Sequence, residues 1–171
     1  MRGFRIRARN DGEDERIAFI VRRAFGGEAE VRLLRDLRAD EAMVCEFLAE
    51  SEGAGLIGHV AFSRLDVRSR DAVIDAVALT PLAVLPTHQR QGAGSALVEH
   101  GLGQLREMTV ALAVVLGDPA FYSRFGFSKL LARFLQAPYS GDGFQALELL
   151  PGALGKRNWR VTYPAAFAKL A

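Results

Sequence analysis

The residues whose types and spacing most suggest chemistry lie in Leu82-Ala83-Val84-Leu85-Pro86-Thr87-His88-Gln89-Arg90-Gln91-Gly92-Ala93-Gly94-Ser95-Ala96-Leu97. An apolar strand runs into a loop with two glycines, and the loop opens directly onto a helix. The first N–H groups of a helix have no acceptor within it and sit at the positive end of its dipole. Such a turn can therefore hold an anion on its main chain. Glycine at 92 and 94 lets a phosphate approach the backbone without meeting a Cβ. A P-loop is excluded, because it needs Lys and Ser/Thr after its last glycine and here Ser95 and Ala96 follow. A dinucleotide fingerprint needs a third Gly or Ala where Leu97 stands, and it follows a first strand rather than one in mid-chain. What remains, Gln89-x-x-Gly92-x-Gly94, is on its own equally a strand-to-helix turn that needs flexible residues.

A second segment bears on that choice. Gly117-Asp118-Pro119-Ala120-Phe121-Tyr122-Ser123-Arg124-Phe125-Gly126-Phe127 reads as a short helix, capped by Asp118, with Pro119 in its first position and Gly126 ending it. The two segments together resemble the landmarks of the GNAT acetyltransferases, whose pyrophosphate loop is written Q/R-x-x-G-x-G/A. In that family a Leu-Ala-Val-x-Pro-like strand precedes the loop, and a tyrosine helix ending in Gly-Phe follows. The Leu-Gly-Asp-Pro form, with Pro-Gly-Ala-Leu at 151–154 and Tyr163-Pro164, is similar to a bacterial branch of predicted N-acetyltransferases. The resemblance is strong over 76–127 and weaker elsewhere. Many relatives carry Asn at the place of Gly117 or Asp118, so no side-chain contact to the cofactor is carried over there.

The resemblance implies acetyl-CoA as cosubstrate and a primary amine as acceptor, joined by direct attack. Its pantetheine would lie along the backbone of Leu82, Ala83 and Val84, and its pyrophosphate on Gln89, Arg90, Gln91, Gly92, Ala93, Gly94 and Ser95. Tyr122 could supply a proton to the departing thiolate as general acid. For an isolated tyrosine the reading would be a half-buried helix aromatic; its place in the second landmark favours the catalytic one. Asp75, Glu28 and Glu30 are candidate bases, each equally a solvated charge or a cap, and relatives often deprotonate through water. A non-catalytic acyl-CoA sensor or scaffold is the alternative function, and homodimerisation is the assembly such relatives suggest.

The elements that must position these groups follow from the pattern. Phe4 to Ala8 alternates and reads as a first strand. Ile17, Ile20, Val21 and Ala24 recur at helical spacing until Gly26-Gly27, and a second helix turns Val31, Leu34 and Leu37 inward with Arg32, Arg35 and Arg38 outward. Met43 to Ala49 and Leu56 to Leu65 read as a hairpin. The apolar run Ala72 to Leu85 reads as a central strand, where Pro81 marks a bulge or a place where pairing ends. A helix is expected from Gly92 to Arg106, a buried strand over Val110 to Leu116, and strands around Phe144 to Leu150 and Trp159 to Tyr163. The pattern gives an α/β class with one mixed sheet and helices on both faces in a single domain of 1–171, and the GNAT resemblance implies a mostly antiparallel sheet splayed between its fourth and fifth strands.

Composition narrows the classes. Lys and Arg total 22 against 20 for Asp and Glu, which gives no field to argue for nucleic acid. No run approaches a membrane span or a secretory leader, and Cys45 stands alone, so a reducing cytoplasm is expected. Met43, Val44 and Phe47 beside Cys45 point to an inert core thiol. His59, His88 and His100 have no ligand spacing, and no metal is expected.

Overall fold

The elements come in the order the pattern requires. A computed structural model describes residues 3–170; Met1, Arg2 and Ala171, the ends of the expected domain, lie outside the described residues. They are β1 (Phe4–Ala8), α1 (Asp14–Phe25), α2 (Ala29–Ala39), β2 (Met43–Ser51), β3 (Gly55–Arg68) and β4 (Val73–Val84). After these come α3 (Ala93–Glu107), β5 (Leu112–Leu116), α4 (Pro119–Tyr122), α5 (Lys129–Ala132), β6 (Leu135–Gln136), β7 (Phe144–Glu148) and β8 (Trp159–Thr162). The strands form an open mixed α/β sheet, as expected. The chain divides into two compact units, and β3 and β4 each contribute residues to both.

The first unit holds the residues up to Phe62, Thr80–Gly101 and those from Ala165. Its strands follow the order β1-β2-β3-β4, with β1 antiparallel to β2 from Phe4↔Ser51 to Ala8↔Phe47. Ile17, Ile20 and Val21 of α1 and Leu34 of α2 pack with Leu48, Leu56, Ala61 and Ala83 in one buried cluster. Gly26 ends α1 in the left-handed region at φ 80°, its N–H donating to the Arg22 carbonyl at 2.8 Å. Gly101 is required by close approach, since a Cβ there would lie 2.3 Å from the Phe62 ring.

The second unit holds Ser63–Leu79 and Leu102–Pro164. Here β4 runs parallel to β5 over Ala76↔Leu112 to Ala78↔Val114, and β5 is antiparallel to β7 from Leu112↔Glu148 to Leu116↔Phe144. The end of β3 pairs with β8, which takes the short β6 on its other side. This later partner is why β3 reaches Arg68 instead of ending near Leu65. β5 begins at Leu112, two residues after the expected Val110, because the end of α3 uses that N–H. Thr109 turns left-handed at φ 60°, and the Val110 N–H donates to the Leu105 carbonyl at 3.0 Å.

One feature of the first unit departs from the helical pattern. Arg38 does not face solvent: its guanidinium forks onto Glu46 of β2, Nη2 to Oε1 at 2.6 Å and Nε to Oε2 at 3.0 Å. His59 of β3, wholly buried, completes the cluster with Nε2 at 2.8 Å from Glu46 Oε1. Burial pushes the Glu46 carboxyl up, but hydrogen bonds from His59 and Arg38 outweigh it and hold the pKa at about 2. Burial lowers the pKa of His59 despite Glu46, so the ring is neutral, with its proton on Nε2. Its Nδ1 has no partner among the described residues.

Both shifts make folding weaken in acid. The folded pKa of Glu46 lies below its unfolded value of about 4.3, so its stabilisation is complete above that pH and fades towards about 2. The folded pKa of His59 is also depressed, so the unfolded chain takes up the proton first as pH drops through about 6.5. We expect urea unfolding of the parent to weaken between pH 7.5 and 5.5, and His59→Gln to flatten that slope. Glu46→Gln should cost about 3 kcal/mol at pH 7, because it strands the part-buried Arg38 charge.

Candidate active site

The glycine loop lies in the first unit and is built by the exit of β4. Leu85 N–H donates to the Ile57 carbonyl at 2.8 Å, which pins the end of the strand to β3. Pro86–His88 then form a single 3-10 turn. Gln89 folds back, its Nε2 donating to the Val84 carbonyl at 3.0 Å, so this side chain braces the loop from within. Gln91 Nε2 donates to the Thr87 carbonyl at 3.4 Å. Arg90 and Gly92 take left-handed backbone, φ 62° and φ 92°. At Gly92 a Cβ would meet nothing within 4 Å, so the residue is fixed by its dihedral and by the open space before it, not by packing.

Helix α3 starts at Ala93, and the Ala96 N–H donates to the Gly92 carbonyl at 3.0 Å. The amides of Ala93 and Gly94 therefore come ahead of that bond, at the positive end of a 15-residue helix. Expected loop residues Gln89 to Ser95 are thus contiguous at one strand-to-helix turn. Leu82, Ala83 and Val84 are the last residues of β4, beyond the β5 register that ends at Ala78. Pro81 lies within the strand, and the register stops before it is reached.

Tyr122 lies in the second unit, on α4. Asp118 Oδ1 accepts from the Ala120 N–H at 2.9 Å and Pro119 takes the first turn, as the sequence suggests. Gly126 ends the following 3-10 turn at φ 97°. The ring of Tyr122 is 8% exposed and meets Phe121 and Phe127 edge-on, centroids 4.9 and 5.8 Å away. Burial pushes its phenol up to about 12, so the hydroxyl keeps its proton at neutral pH. Gly117 makes this seat, because a Cβ there would lie 2.5 Å from the ring. Gly143 and Gln145 hold Gly117 in turn: its N–H donates to the Gly143 carbonyl at 3.0 Å, and Gln145 Nε2 donates to its carbonyl at 3.4 Å.

The other candidates separate. Asp75 is exposed on β4, Glu28 is bound to Arg22, and Glu30 lies half-buried on α2. Cys45, on β2, has its thiol pushed up to about 12 by burial and by Glu46. Among the described residues no group of three His, Cys, Asp or Glu side chains could hold a metal ion, and no helix is long and apolar enough to cross a membrane. Sequence reasoning missed Glu46 and Gln145: each is a polar residue flanked by apolar ones in its strand, and only the folded neighbours give it a partner.

Comparison with known proteins identifies the relatives of the chain. Residues 5–130 match a family model described as an acetyltransferase (GNAT) domain. The chain is 37% identical over 150 residues to an uncharacterized N-acetyltransferase of Escherichia coli K12, YhbS, covering 86% of this chain and 89% of that one. The crystal structure of Escherichia coli YhbS in complex with CoA superposes with a TM-score of 0.89 at 34% identity, covering 98% of this chain and 93% of that one. A GNAT family acetyltransferase of Brucella melitensis in complex with acetyl-CoA gives 0.79 at 30% identity, covering 98% and 99%.

The seat of Tyr122 generates a prediction. Gly117→Ala should lower the unfolding free energy by about 1–3 kcal/mol, since the added methyl drives into a packed ring. In a Tyr122→Ala background the same change should cost little, and a double-mutant cycle by urea denaturation measures that coupling. Equal costs in both backgrounds would mean the ring does not press on position 117.

Proposed function

Since this chain belongs to the GNAT acetyltransferase family and is an N-acetyltransferase, we propose that it moves acetyl from acetyl-CoA to a primary amine by direct attack. The carrying observation is the loop: two left-handed residues, a braced Gln89 and a helix start whose first amides are outside the helix ladder. In this reading the pyrophosphate rests on the amides of 90–95, where the helix dipole and the amides of Ala93 and Gly94, ahead of the first ladder bond, favour an anion. The pantetheine runs along Leu82, Ala83 and Val84, whose place beyond the β5 register supports main-chain bonding to a ligand. CoA and acetyl-CoA in the two related structures support the choice of cosubstrate. The family match runs through both compact units, which supports one catalytic domain.

In the proposed reaction the amine lone pair attacks the thioester carbonyl, the tetrahedral oxyanion collapses, and the carbon–sulfur bond breaks. The nitrogen's proton goes to water. Backbone N–H groups of β4 are the donors we assign to the oxyanion, where fixed dipoles act most strongly. Tyr122 donates a hydrogen bond to the sulfur as negative charge develops. With its phenol near 12 it is a weaker acid than a thiol of about 8.5, so full transfer runs uphill and the bond itself carries most of the benefit. Cys45 has no part in this route: its raised pKa leaves almost no thiolate at neutral pH, which argues against an acetyl-cysteine intermediate.

Steady-state kinetics with a reactive amine, following thiol release, test the assignment. Tyr122→Phe should lower kcat towards the low end of the roughly 10²–10⁴-fold range for proton donors, with acetyl-CoA affinity unchanged. The loss should be uniform from pH 6 to 10, because the phenol does not ionise there. Cys45→Ala should turn over at the parent rate. Full activity in Tyr122→Phe would reduce that residue to packing, and an inactive, folded Cys45→Ala would favour a covalent route.

A further inference from the structure

The second unit contains a cavity of about 370 Å³ that the acetyl-transfer reading does not use. Arg68, Arg70 and Arg160 line it with Ser69, Asn158 and Gln136, and Trp159 forms part of its wall. The charged and polar side chains of this lining are hydrogen-bond donors of which no member is a carboxylate. Strand register fixes one pair of the cluster: β3 and β8 run antiparallel with Arg68 directly opposite Arg160, and Arg70 follows two residues after β3 ends. Like charges facing each other across two strands destabilise the pair unless an anion lies between them.

The carboxylates nearby do not neutralise this charge. Asp66 takes Arg68 alone, with Nε at 2.7 Å from Oδ1 and 2.9 Å from Oδ2. Asp71 takes Arg157, which is not part of the lining, Nη1 to Oδ1 at 3.0 Å, and the same oxygen accepts from the Ser69 hydroxyl at 3.4 Å. The guanidinium groups of Arg70 and Arg160 have no hydrogen-bond or ion-pair partner among the described residues. Two unmatched guanidinium groups, with the amides of Gln136 and Asn158 beside them, suit one dianion that accepts several bonds at once.

We propose that this cavity is a binding site for a phosphate-bearing small molecule. Phosphate fits the donor set better than a carboxylate does, because it offers three terminal oxygens and close to two negative charges at neutral pH. The volume falls within the range of small-molecule sites, so there is room for more than the phosphate itself. The assignment rests on the arginine register and not on the reading of the acetyl-transfer site.

Trp159 is the one tryptophan of the chain, so its fluorescence reports on this cavity directly. The experiment titrates the intact protein, saturated with CoA to occupy the coenzyme loop, with inorganic phosphate. Tryptophan emission and thermal midpoint are read together. We expect a saturable change in at least one of them, with the midpoint rising as a ligand of the folded state requires. Arg70→Gln and Arg160→Gln, both exposed positions, should each weaken phosphate by about tenfold or more while keeping the parent's far-UV spectrum. Four results would overturn the site: no response in either readout up to ten-millimolar-scale phosphate, the same response to sodium chloride at matched ionic strength, unchanged affinity in both variants, or tighter binding of malonate than of phosphate.

Discussion

A strand inside a sheet normally commits its N–H and C=O groups to a neighbour on each side, and that commitment is what makes it rigid. On its β5 side β4 holds such a register only from Ala76 to Ala78, while the strand itself continues to Val84. β5 meanwhile stays paired to β7 as far as Leu116. The rest of the proposed chemistry depends on this inequality. A main chain that is held on its β3 side yet not paired on the other can offer hydrogen bonds to a ligand without a cost of reorganisation. The link from Leu85 to Ile57 and the brace from Gln89 to Val84 keep that end of the strand in place as it passes into the loop.

Each further element serves the placement of a few groups. Positive φ at Arg90 and Gly92 turns the chain from strand to helix within a few residues, so that α3 begins where β4 has just ended. Gly101 lets α3 lie against Phe62. The seat of Tyr122 is made by absences of side chain: Gly117 gives the ring its room, and a Cβ at Gly143 would lie 2.7 Å from the Gly117 carbonyl. Beneath the chemistry, Glu46 fastens Arg38 and His59 into the first unit, joining α2 to β2 and β3.

Local signals were legible wherever one or two residues dictate a backbone event. β1 occupies the five residues that alternate, Gly26 stops α1, and Asp118 with Gly126 brackets the tyrosine turn. The loop could be read for the same reason: strand, glycines and helix are adjacent in sequence. Partnerships across long separations were not legible. Arg38 falls on the helical stripe of Arg32 and Arg35, and nothing in α2 announces the buried carboxylate that draws it in. The reach of β3 to Arg68 depends on β8, which arrives some ninety residues later, and so does the facing of Arg68 with Arg160. Periodicity assigns a side chain to a face, whereas register decides what it meets there.

We propose that the loop from Gln89 to Ser95 holds the coenzyme through its main chain. Calorimetric titration of CoA into the Gly92→Val, Gly94→Val double variant tests it most directly, with the far-UV spectrum and unfolding midpoint recorded beside it. Valine brings a Cβ into the space before the helix start and opposes the left-handed φ of residue 92. We expect the folded variant to lose measurable CoA binding while the parent binds; a folded variant that binds CoA with the parent's affinity would contradict main-chain binding by the loop.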